Sequence, residues 1–228
     1  MLSFFDINNI FFTLWDYPMS YLEFFGTILN IISVWLVVKH KIWTWPIGIV
    51  AVVLFGVLFY QIQLYSDLIE QIYYFITGFY GWWAWSRYGK KDKEDKPVKI
   101  SFNTIESNIK YVVVIVIATL IMGYYVGRLH IYFPNIFLEA ASYPYLDAFT
   151  TVMSFVATIL MIRKKIESWY LWIIVDIIGI ALYFIKEVKF ISILYLIFLV
   201  MASSGLYRWS KEFKKELKIK AVWEQEEA

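Results

Sequence analysis

Seven stretches of this chain are apolar almost throughout, at 21–38, 45–61, 69–85, 111–126, 146–161, 169–185 and 190–207. Crossing the hydrocarbon of a bilayer takes about 20 mostly apolar residues in a helix, and each stretch lies within a few residues of that length. Polar or proline-containing breaks separate them, at 39–44, 63–67, 88–107, 129–144, 163–167 and 186–189. This succession predicts an all-α integral membrane protein with seven transmembrane helices. Composition agrees, because 61% of the residues are hydrophobic, whereas soluble domains hold roughly 45–50%.

The chain has no cysteine, which removes disulfides and thiolate metal sites. His40 and His130 are too far apart to form a spaced metal motif. Before Glu23 the only charged side chains are Asp6 and Asp16. A signal peptide needs a basic start and a small-residue cleavage site, so the first apolar helix is read as a retained span. The charged run 90–99 reads as a solvated loop, with no role in nucleic-acid binding.

Basic residues divide unevenly between the two sides that seven spans create. Eighteen fall on one side, in 39–41, 87–110, 163–165 and 208–220, and three on the other, Arg128, Lys186 and Lys189. Positive charge marks the cytoplasmic side, which places the N-terminus outside and the C-terminus inside the cell membrane.

The sequence also repeats itself at an offset of 124 residues. Tyr21-Leu22-Glu23 falls on Tyr145-Leu146-Asp147, Lys41-Ile42 on Lys165-Ile166, Trp45 on Trp169, Gly81 on Gly205, and Trp85-Ser86 on Trp209-Ser210. The expected organisation is therefore an extracytoplasmic segment 1–20, a three-helix repeat 21–87, then a cytoplasmic loop, connecting helix and outer loop over 88–144. A second three-helix repeat 145–210 and a cytoplasmic tail 211–228 follow. Three crossings in and one back give the two repeats the same orientation, a 3+1+3 parallel arrangement. In transporters so built, the substrate lies near mid-membrane between the repeats.

Trp169, Trp172 and Asp176 share one face of the sixth apolar helix at i, i+3 and i+7 spacing. A carboxylate at membrane depth costs roughly 2.5–3.5 kcal/mol on insertion scales, so it faces a bundle interior or a watery cavity. This face is read as one wall of a site for a small cationic or polar aromatic molecule. The third helix supplies Asp67, Glu70, Gln71, Tyr74, Thr77 and Tyr80, with Gly78 and Gly81 allowing close approach. Asn30 joins the candidates from the first helix. For Tyr73, Tyr80, Trp82 and Trp83 the plainer role is an interfacial belt, and for Asp67 helix capping competes with binding. Glu23 and Asp147 are expected to be solvated or to face the helix dipole. Ser33, Ser154 and Thr158 are expected to bond back to their own helices. The tail 211–228, with Phe213, Leu217 and Trp223 as a modest apolar stripe, is expected to rest on the bilayer surface. No phosphate-binding loop, spaced histidine pair or nucleophile elbow is present, so no enzyme, cofactor or metal site is expected.

Two stretches carry a family resemblance: Phe59-Tyr60-Gln61-Ile62-Gln63-Leu64-Tyr65 and Tyr80-Gly81-Trp82-Trp83-Ala84-Trp85-Ser86-Arg87. With Trp169-Tyr170-Leu171-Trp172, a WxxW pattern, the chain resembles the PnuC family of bacterial vitamin transporters from Tyr21 to Lys211. The resemblance implies a fold similar to the SWEET sugar transporters and passive uptake of an unphosphorylated vitamin that a cytoplasmic kinase then traps. It implies ring stacking by Trp169 and Trp172, with polar contacts from Gln71, Asp176 and Ser204. Some relatives have asparagine at the positions of Ala51, Asp176 and Ser204.

Indole faces attract cations by roughly 0.5–2 kcal/mol, and a neighbouring carboxylate adds to this. Nicotinamide riboside, with its pyridinium, is the expected substrate. Thiamine, with its thiazolium, is the alternative, and neutral riboflavin fits an acid at 176 less well. A small sugar carrier ranks third. A membrane receptor or assembly subunit acting through the tail is the reading from a different class. A homo-oligomer is left open.

Overall fold

In the computed structural model, residues 2–14, 17–62, 65–87, 100–135, 137, 140–185 and 189–226 are described. The charged run 90–99, Gln63, Leu64 and Lys186 lie outside them, as does the side chain of Trp223. The chain divides into two compact units, Met1–Val98 and Lys99–Ala228.

The first unit opens with a 3-10 turn, Leu2–Phe5, and an antiparallel hairpin, β1 Ile10–Leu14 and β2 Tyr17–Ser20. Three helices follow: α1 Tyr21–Val38, α2 Thr44–Gln61 and α3 Tyr65–Arg87. The hairpin is a small addition to a chain that is otherwise helical, as the sequence predicts. Ser20 ends β2 and caps α1, its hydroxyl accepting the Glu23 N–H at 3.2 Å, so strand and helix meet without a spacer. Glu23 lies in the first turn of α1, as the dipole reading expects, but it is not solvated: it is 8% exposed and accepts the Tyr17 hydroxyl at 2.7 Å. Gln61 at the end of α2 reaches back to the start of the chain. Its carboxamide donates to the Phe5 carbonyl at 2.6 Å and accepts the Ile7 N–H at 3.1 Å.

α1 packs on α2 and α2 on α3. Leu22, Leu54 and Leu58 form a small core that Phe4, Ile7 and Phe55 close. Ser33 on α1 and Thr44 on α2 exchange hydrogen bonds, each hydroxyl donating to the other residue's carbonyl at 2.9 and 2.8 Å. Both are buried, where an unmade bond costs about 1–3 kcal/mol, so the pair fixes the α1–α2 corner. Ser33 thus bonds across to a neighbouring helix and not back to its own.

The second unit holds α4 Ile105–Val126, a short α5 Leu129–Tyr132, α6 Pro144–Ile162, α7 Glu167–Ile185 and α8 Lys189–Glu226. Pro144 suits the first turn of α6, where its missing N–H costs nothing. α4 packs on α6, α6 on α7 and α7 on α8. Ile115, Val152, Met153 and Val175 form its core. Along α4, Val112, Val113, Val116, Ile117, Leu120 and Ile121 are exposed. A contiguous apolar surface of this kind belongs against lipid.

Among the described residues, six helices are long and apolar enough to cross a membrane: α1, α2, α4, α6, α7 and the 191–219 part of α8. α3 is long enough at 23 residues, but Asp67, Glu70, Gln71 and four tyrosines lower its hydropathy. The tail is not a separate surface helix. α8 runs unbroken for 38 residues, about 57 Å, well beyond the ~30 Å hydrocarbon core.

Several local geometries recur 124 residues apart. His40 and Lys164 both take the left-handed conformation, at φ 54° and 53°. The next residues, Lys41 and Lys165, donate their N–H groups to Leu36 and Leu160 carbonyls, each at 2.9 Å. Trp45 meets Trp85 edge-on with centroids 5.3 Å apart, and Trp169 meets Trp209 likewise at 5.3 Å.

Candidate functional site

α7 is helical from Glu167 to Ile185, so Trp169, Trp172 and Asp176 do share a face. The three residues differ in what covers them. Trp169 is 1% exposed and locked in packing: a Cβ at Gly205 would fall 2.6 Å from its ring, and Trp209 closes its edge. Trp172 is half-buried, packed against the Ile115, Val152, Met153 and Val175 core. The indole Nε1 atoms of both are buried and have no hydrogen-bond partner among the described residues.

Asp176, one turn beyond Trp172, is 3% exposed. None of the described residues hydrogen-bonds to it or pairs with it. A buried carboxylate in that position is expensive unless something else completes it. One turn further, the Tyr195 ring of α8 presses on Gly179 and stacks on Tyr183 at 5.4 Å, which sets an aromatic floor to this face. α6 adds buried hydroxyls from Thr151, Ser154 and Thr158, the last donating back to the Ser154 carbonyl at 2.8 Å. Ser204 is exposed on α8, next to the Gly205 that receives Trp169.

In the first unit the candidates sit along α3 and α1. Gln71 is half-buried and donates to the Asp67 carbonyl at 3.4 Å, which leaves its Oε1 without a partner among the described residues. Thr77 is buried and donates to the Tyr73 carbonyl at 2.8 Å. Tyr74 meets Tyr73 edge-on, and Tyr80 is half-exposed and stacked on Trp83 at 5.8 Å. Asp67 lies in the first turn of α3; Asp67, Glu70 and Asn30 are half-buried. The glycines of α3 receive side chains of α2: Gly78 admits Ile49, and Gly81 admits the Trp45 ring.

Two features escaped the residue-by-residue reading. The Trp45–Gly81 and Trp169–Gly205 contacts are one device used twice, and the shared offset of those four residues was its signal in the sequence. The other is a polar clamp on Glu167 at the start of α7, which no local spacing announces.

Apolar helices of membrane length beside a buried polar face with unmet hydrogen-bonding groups are what a multi-pass membrane transporter requires. The profile of the family described as nicotinamide mononucleotide transporter matches residues 20–211. The chain belongs to this family, that of the PnuC transporters. It is 28% identical to the nicotinamide riboside transporter PnuC of Escherichia coli strain K12, over 91% of this chain and 94% of that protein. It is 27% identical to the riboflavin/roseoflavin transporter RibM of Streptomyces davaonensis, over 89% and 91%. A crystal structure of the vitamin B3 transporter PnuC superposes with a TM-score of 0.66 at 25% identity, covering 86% of this chain and 83% of that one.

Proposed function

We propose that this protein carries nicotinamide riboside into the bacterial cell by facilitated diffusion with alternating access, a cytoplasmic kinase trapping the vitamin by phosphorylation. One observation carries the reading. Asp176 is 3% exposed and one helical turn from Trp172, whose Nε1–H is also buried, and neither group has a partner among the described residues. A ligand that stacks on an indole, accepts from its N–H and brings a positive charge to the carboxylate completes all three groups at once. The pyridinium ring of nicotinamide riboside, with its carboxamide, has that chemistry, and the 28% identity to the Escherichia coli carrier supports it. Trp172 is the stacking surface in this reading. Trp169 backs it from within the packing and offers only its N–H. Gln71, Tyr74, Ser204, Asp67, Glu70, Thr77, Tyr80 and Asn30 are assigned as further substrate contacts, Gln71 foremost because its carbonyl oxygen has no donor among the described residues.

The likeness to a riboflavin carrier makes vitamin choice the second question. The acid at 176 favours a cation, which leaves thiamine as the rival substrate.

The architecture proposed with this function is seven spans in a SWEET-like 3+1+3 parallel repeat, with α3 as the seventh span. The left-handed His40 and Lys164 and the two matched tryptophan pairs support the repeat. The eighteen-to-three partition of basic residues supports an N-terminus outside and a C-terminus in the cytoplasm.

Binding of nicotinamide riboside, thiamine and riboflavin to the purified protein, followed by tryptophan quenching, tests the assignment. Nicotinamide riboside is expected to bind tightest and riboflavin weakest. Tightest binding of thiamine would transfer the function to that vitamin, and binding of none would end the proposal.

A further inference from the structure

A cluster of polar contacts in the second unit lies outside the aromatic-acid face yet grips the helix that carries it. Glu167 opens α7. Its Oε1 accepts the Asn103 N–H at 2.8 Å and the Asn108 Nδ2 at 3.4 Å, while Asn103 Nδ2 donates to Asn108 Oδ1 at 3.1 Å. Asn103 precedes Thr104, whose hydroxyl caps α4 by accepting the Ser107 N–H at 3.3 Å. One carboxylate therefore ties the first turn of α7 to the first turn of α4.

The residues on either side reinforce the tie. Ser101 pairs in parallel with Lys165: its N–H donates to the Lys164 carbonyl at 3.3 Å and its carbonyl accepts the Ile166 N–H at 3.1 Å. Lys165 Nζ donates to the Ser101 hydroxyl at 2.8 Å and to the Phe102 carbonyl at 3.3 Å. Phe102 in turn packs edge-on against Phe213 of α8 at 5.2 Å. An acid at a helix N-terminus is favoured by the dipole as well, so the position suits a carboxylate twice over.

The clamp has no counterpart where the repeat would place one. The residue 124 positions before Glu167 is Trp43, which is 66% exposed, and the α1–α2 corner is held by Ser33 and Thr44 instead. Among the described residues, α2, which the repeat sets against α7, has no acidic residue in its first turn to make such a tie. Trp172 lies five residues from Glu167, about 7.5 Å along the axis, so a shift or rotation at the helix start is passed directly to it.

We propose that Glu167 is a positioning residue, which sets the placement of Trp172 and Asp176 for the vitamin by holding the start of α7 to α4. The proposal rests on α7 as the substrate wall. It is tested with the purified full chain by comparing wild type, Glu167→Ala and Glu167→Gln in two measurements. One is the Kd for nicotinamide riboside, and the other is amide hydrogen exchange along α6 and α7.

Glu167→Ala is expected to raise the Kd roughly tenfold, a loss of about 1.4 kcal/mol of binding free energy. It is also expected to speed exchange over residues 168–176 while leaving α6 unchanged. Glu167→Gln, whose Oε1 still accepts the Asn103 N–H, is expected to restore both to near wild type. A merely structural role predicts fewer folded molecules with an unaltered Kd and uniform exchange, and that result overturns the proposal. If wild type binds no vitamin, the functional reading fails by itself. The exchange measurement then still decides, because wild-type exchange over 168–176 in Glu167→Ala removes the positioning role.

Discussion

At the scale of single residues, the same side chain serves packing in one place and recognition in another. Trp169 and Trp172 are three residues apart on one face, yet Gly205 and Trp209 cover the first and leave the second half-open. A methyl group added at Gly205 has no room, and the Trp169 ring is held by Trp209 behind it. Gly205→Ala is therefore expected to destabilise the folded protein by about 1–3 kcal/mol, the usual range for overpacking a tight core. Thermal unfolding in detergent reads this as a lowered Tm, and Gly81→Ala at the Trp45 ring should behave alike. Trp172→Ala is expected to act differently. It removes packing against the core as well, so its Tm should also fall, and what sets it apart is that the vitamin affinity of the folded protein drops by roughly tenfold or more from the lost stacking and cation–π contact. A binding titration that returns wild-type affinity would move the site away from α7. Asp176→Asn is a third case, expected to weaken a cationic vitamin more than a neutral one, and paired titrations with nicotinamide riboside and riboflavin measure the difference.

Among the elements, the hairpin at the N-terminus shows what sequence patterns hide. The helices were legible because apolar runs are long: 21–38 coincides with α1, and 45–61 and 169–185 miss α2 and α7 by one or two residues. α4 begins six residues before its apolar run because Thr104 caps a polar first turn, and α8 continues past Tyr207 because charged residues make good helix outside lipid. β1 and β2 were not legible, since their strands are short and Pro18 interrupts the second. The clamp on Glu167 was hidden for another reason: its donor lies 64 residues away in sequence. Tyr17 ties the hairpin to α1 by donating to Glu23. Loss of solvent around its hydroxyl, then the bond to Glu23 and that residue's charge, push its pKa well above the ordinary 10. The folded state thus holds this proton more tightly than the unfolded chain. The stabilisation is complete below about pH 10 and is lost as the pH rises through the folded value. Unfolding followed from pH 8 to 11 should show falling stability above pH 10. Tyr17→Phe should flatten that slope and cost about 1–3 kcal/mol at neutral pH, because Glu23 stays buried without its donor.

For the molecule as a whole, the open quantity is the number of crossings, and it turns on α3. Among the described residues six helices qualify by length and hydropathy, and an even number would return the C-terminus to the side of the N-terminus. Counting α3 makes seven and separates the termini. The polar side chains of α3 argue for the second count and not against it. Thr77 satisfies its hydroxyl within the helix, and Gly78 and Gly81 seat side chains of α2, so this helix is built to pack beside another along its length. Its outward Ile69, Ile72, Ile76 and Phe79 present the apolar surface that lipid requires. The protein offers a clean test because it contains no cysteine. Single cysteines at Asn8, in the turn before β1, and at Lys215, on the exposed extension of α8, can each be probed in intact cells with a membrane-impermeant maleimide. Seven crossings predict labelling at Asn8→Cys and protection at Lys215→Cys until the cells are opened. The same accessibility at both positions would remove α3 from the membrane, and with it the basis for a parallel three-helix repeat.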